Sequence, residues 1–138
     1  MDISDNLRDI ITKEINYVVN QMEKCSSGEE ILYYFSGIYS VIQRLFNLEY
    51  SSDLIYMHSI LLETYNAFRQ RFEAIKAGQT LIPLSEEQFK KLITITKKLA
   101  KNIEKKGDIN NVLKEFAVLA YTTTGNGYYL VRKGLLKI

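Results

Sequence analysis

LSEEQFKKLITITKKLAKNIEKKG, residues 84–107, decides what kind of protein this is. Ser85 followed by Gln88 is a capping-box pattern, which satisfies free backbone N–H groups at a helix start. Gly107 supplies the stop. At 100° per residue, Phe89, Leu92, Ile93, Leu99, Ala100 and Ile103 share one side of the helix, and Ile95 is the one apolar residue that strays. Lys90, Lys97, Lys98, Lys101 and Lys105 fall within about 100° of arc on the other side, with Lys91 at its edge. The spacing therefore predicts an amphipathic helix that docks by one face and shows solvent a cationic one.

Helical spacing continues in both directions. Ile3, Leu7, Ile10, Ile11, Ile15, Val18, Val19 and Met22 predict a first helix over about 4–24, capped at Ser4 or Asp5 and ended by Ser26-Ser27-Gly28. Ser27 with Glu30 opens a second, over about 29–47, which has no charged residue between Ile31 and Gln43 and is expected to be central. A third is capped at Ser51 or Ser52 and runs to about Ala77, with Gly78 as its left-handed end. Its main apolar face is Leu54, Ile55, Leu61, Leu62, Tyr65, Phe68, Phe72 and Ile75. A lesser strip of Tyr56, Ile60 and Ala67 implies a second neighbour or an oligomer interface. Pro83 sets residues 79–84 as an extended linker. Asp108 caps a fifth helix whose stripe is Ile109, Val112, Leu113, Phe116, Ala117 and Ala120. Residues 122–133 read as a short hairpin or a sixth helix; the helix is preferred because a lone hairpin is marginal in water. The expected fold is all-α, a single-domain bundle of five to six helices over residues 1–138.

Composition supports this. A chain of 138 residues with 46% hydrophobic and 25% charged residues can bury a core, and one proline leaves long stretches unbroken. The start of the chain is acidic where a secretory leader would be basic, and no apolar run approaches the roughly 20 residues that span a bilayer. A cytoplasmic protein without membrane contact is the expectation.

Residue inventory bears on chemistry. His58 and Cys25 are single, so sites built from several His or Cys ligands are excluded. Ile55 stands three positions before His58, where a helical carboxylate metal centre needs an acid. His58, between Leu54 and Leu62, reads as a core histidine hydrogen-bonded to a neighbour. Lys24 and the helix end pull the Cys25 thiol in opposite directions. Thr122 to Gly127 holds a G-x-G but lacks the rest of a phosphate loop, and reads as a turn. Tyr128 and Tyr129, followed by Arg132 and Lys133, offer stacking surfaces for bases. No catalytic residue, cofactor or metal is expected, so the chain reads as a non-enzyme.

Charge is distributed unevenly. Residues 1–69 hold five Lys/Arg and ten Asp/Glu, a balance of −5, and residues 70–138 hold thirteen and six, a balance of +7. Such halves either attract each other, within the fold or across a dimer, or mark a polyanion-binding face. The pairs Lys97–Lys101 and Lys101–Lys105 put like charges one turn apart, at a small cost that favours an anionic ligand. The functional expectation is a binding module whose Lys90, Lys97, Lys98, Lys101, Lys105, Arg132 and Lys133 contact RNA or DNA phosphates. The alternatives are a lysine-rich face that is merely solvated, an acidic protein partner, or a homo-oligomeric structural protein or complex subunit without nucleic-acid contact.

Overall fold

Three serines start helices where the sequence places them. In the computed structural model, which describes residues 3–79, 84–124 and 133–134, α1 spans Asp5–Lys24, α2 Gly28–Leu45, α3 Ser52–Lys76, α4 Glu86–Glu104 and α5 Asn110–Thr123. The hydroxyls of Ser4, Ser27 and Ser51 accept the N–H of Leu7, Glu30 and Leu54 at 3.4, 3.2 and 3.3 Å. Each satisfies a donor that the first turn leaves free. Among the described residues the structure is all-helical, with no strand. The hairpin or helix expected after Thr124, and most of the 79–84 linker, lie outside those residues.

The other two starts differ from expectation. Ser85 occupies the N-cap of α4 but makes no side-chain cap bond, and Gln88 instead donates to Thr123 Oγ1 of α5 at 2.9 Å. Asp108 sits one residue before the N-cap of α5, Ile109, and accepts the Asn110 N–H at 2.9 Å.

Two helices end alike. After α3, Gly78 takes φ +70°, its N–H bonds the Ile75 carbonyl, and the Gln79 N–H bonds that of Ala74. After α4 the same two bonds run from Lys106 to Ile103 and from Gly107 to Asn102, so the left-handed seat, φ 59°, falls to Lys106 and not to glycine. The sequence signal was one residue late.

The helices close a ring in the order α1, α2, α3, α5, α4, and back to α1, with a lighter contact between α2 and α4. Ring pairs reach across it: Phe35 meets Phe116 at 6.2 Å and Phe68 meets Phe89 at 5.3 Å. No helix is central. The uncharged run of α2 is explained by an outer face of Tyr33, Ser36 and Ser40, of which Tyr33 is 72% exposed, with Gly37 set beside Val18 of α1. Ser36 and Ser40 turn their hydroxyls onto the carbonyls of Tyr33 and Ser36. Polarity without charge satisfies that surface.

Each helix thus packs on at least two neighbours, which widens its buried arc. Ile95 does not stray: it is buried along with Thr96, while Ile93 is half-buried. Both strips of α3 meet partners inside the chain, α2 and α5; Ala67 is buried, Ile60 packs on the core, and only Tyr56 of the lesser strip is exposed.

Candidate nucleic-acid interface

The ring order puts α4 between α1 and α5, and this decides what its lysines meet. All seven lysines of residues 86–106 are exposed, so the face predicted from spacing exists. Its flanks, however, are engaged. Lys97 Nζ lies 2.8 Å from Glu23 Oε2 on α1, and Lys98 Nζ 2.9 Å from Glu115 Oε1 on α5. Lys106 Nζ lies 3.3 Å from Asp5 Oδ1, which also accepts from Arg8 at 2.7 Å. Arg8 first, and Lys106 after it, hold the Asp5 carboxyl below the ordinary carboxylate range.

Lys90, Lys91, Lys101 and Lys105 make no salt bridge among the described residues. They, and not the whole set, are the free cations of the face. Of the two like-charge pairs, Lys97–Lys101 is eased by Glu23, and Lys101–Lys105 remains. The opposed charge of the two chain halves is therefore used within one molecule, at Glu23–Lys97 and Asp5–Lys106.

Of the remaining predicted contacts, Arg132 and the stacking tyrosines Tyr128 and Tyr129 lie outside the described residues. Lys133 is exposed in a turn beside Gly134, whose φ is +73°. Thr122 and Thr123 end α5 with their hydroxyls on the Leu119 carbonyl, and the rest of the G-x-G segment is outside the described residues. One cation escaped the sequence reading. Lys114 of α5 lines a groove together with Lys90, Lys91 and Lys98, and a lone lysine on a predicted helix carried no signal of that proximity.

The two single residues resolve simply. His58 is half-buried at the surface of α3, not in the core, and its ring meets Phe46 at 5.3 Å and Tyr39 at 6.2 Å, near edge-on. Burial pushes the Tyr39 hydroxyl up, with Tyr65 adding to it. The Cys25 thiol donates to the Gln21 carbonyl at 3.1 Å, and burial, then Glu30, raises its pKa. Nothing there prepares a thiolate at neutral pH. Among the described residues no three His, Cys, Asp or Glu side chains gather as a metal site, and no helix is long and apolar enough to cross a membrane.

No protein-family model matches the chain, and no match to it was found among curated proteins or solved structures.

Proposed function

We propose that this chain is a non-catalytic, cytoplasmic module that binds the phosphates of RNA or DNA through the outer face of α4. The observation that carries the reading is the row of exposed lysines, Lys90, Lys91, Lys101 and Lys105, without an acidic partner among the described residues. Exposed ammonium groups displace counterions from phosphates without reading sequence, so binding should be strong at low salt and indifferent to base order. The flanking ion pairs orient α4 and supply little of the affinity.

Fluorescence anisotropy with labelled oligonucleotides tests this division of labour. Lys101→Glu with Lys105→Glu should weaken binding by about tenfold or more, since charge-assisted bonds are lost. Lys97→Met with Glu23→Gln, which removes an internal pair without changing net charge, should leave binding within about twofold. Equal losses in both, or binding that never appears, would rule the reading out.

A second reading has its own observation. Leu48 is 74% exposed, Tyr50 72% and Tyr56 55%, around the α2–α3 connection where Tyr50 packs on Phe46. Exposed apolar groups together suit a protein contact, either a second copy or a larger assembly. Sedimentation that shows a mass rising with concentration, and Leu48→Glu abolishing the rise, would support self-association; a constant monomer mass would remove it.

A further inference from the structure

A trough of about 780 Å³ runs between α4 and α5. Ile95 and Leu119, both buried, form its floor, and Val118 stands half-buried at its side. More of its wall is apolar than polar, as expected where long lysine side chains line a cleft with their methylene stems. An apolar floor of this kind inside a ring of polar and charged side chains suits an amphiphilic organic ligand.

Charge selects the ligand's head. Lys98 and Glu115 cancel at 2.9 Å, and Arg71, buried beneath, has a partner of its own. Lys90, Lys91 and Lys114 remain, against Glu87, three positive charges and one negative, and the buried Arg71 adds a further positive charge, so the lining as a whole carries +3. A phosphate monoester carries about −1.5 to −2 at neutral pH and matches that balance better than a carboxylate does.

We propose that the α4–α5 trough binds an apolar chain ending in a phosphate monoester. The tail lies on Ile95, Val118 and Leu119, and the head is held by Lys90, Lys91 and Lys114. This site shares Lys90 and Lys91 with the polyanion face, but Lys114 belongs to the trough alone and Lys101 and Lys105 do not line it.

Decyl phosphate below its micelle concentration, titrated into the full chain and followed by calorimetry and backbone amide shifts, tests the site. Decanoate, decanol and inorganic phosphate are the comparators. Decyl phosphate should bind about tenfold more tightly than decanoate, and more tightly than decanol or inorganic phosphate, with shifts confined to the segments that line the trough. Lys91→Ala with Lys114→Ala should reduce its affinity to the level of decanol, while Lys101→Ala with Lys105→Ala should leave it unchanged. Decanol or decanoate binding equally well, shifts elsewhere, or no saturable binding would overturn the proposal.

Discussion

Gly28 opens α2 because nothing larger fits. A Cβ built there would stand 2.4 Å from Cζ and 2.6 Å from Cε2 of Phe89, whose ring packs between Gly28 and Phe68. Gly28→Ala should therefore destabilise by about 1–3 kcal/mol in urea melts, although alanine is the better helix former. Phe89→Leu in the same chain should recover part of the loss; additive losses would show that the ring is not the cause. In the sequence Gly28 reads only as punctuation between helices, since the ring that needs the space lies on a distant segment. Lys106 is the converse case, a lysine in a glycine's seat with φ 59°. Replacement by Gly and by Ala both remove its contact to Asp5, but only Gly relieves the backbone. The Gly variant should be the more stable of the two by roughly 1 kcal/mol by thermal denaturation. Asp5 gives a pH test with a definite sign. Its folded pKa is lowered, so the stability contributed by its contacts is present above the unfolded value and is lost as pH falls through the folded one. Carboxyl NMR should find it titrating below an ordinary aspartate. Arg8→Ala should move it back further than Lys106→Ala, since Arg8 is the larger cause.

Elements were legible in proportion to how local their determinants are. The serine caps of α1, α2 and α3 are decided within four residues, and the structure has them where the sequence does. The Ser85–Gln88 pattern was equally clear yet Gln88 went to Thr123, because a partner on α5 outcompeted the local one. Ile95 was misplaced for a related reason: a single-face reading of α4 allows one neighbour, and the ring supplies two. The exposed Lys97–Glu23 pair should be worth little. A double-mutant cycle on denaturation midpoints should give a coupling below about 1 kcal/mol that fades in high salt. A coupling of several kcal/mol would mean that α4 exists to hold the fold together, and its lysines would need no ligand.

At the scale of the whole molecule, the all-α class, the five helices of the described residues and the exposure of the lysine face followed from periodicity. The closed ring did not, since spacing shows which face is buried and not against which helix. That order is what reduced the candidate site. With α1 on one side and α5 on the other, Glu23, Asp5 and Glu115 engage three lysines of the stretch 84–107. Charge asymmetry between the halves hinted at this, but identifying the partners required contacts between distant segments. The central claim is that the four remaining lysines meet phosphates, and the salt dependence of oligonucleotide binding counts them most directly. For a single strand the slope of log K against log salt should be about −2.8, falling to about −1.4 when Lys101 and Lys105 are both alanine. A slope near zero, or one near −4.9 as expected if all seven lysines engaged, would contradict the account.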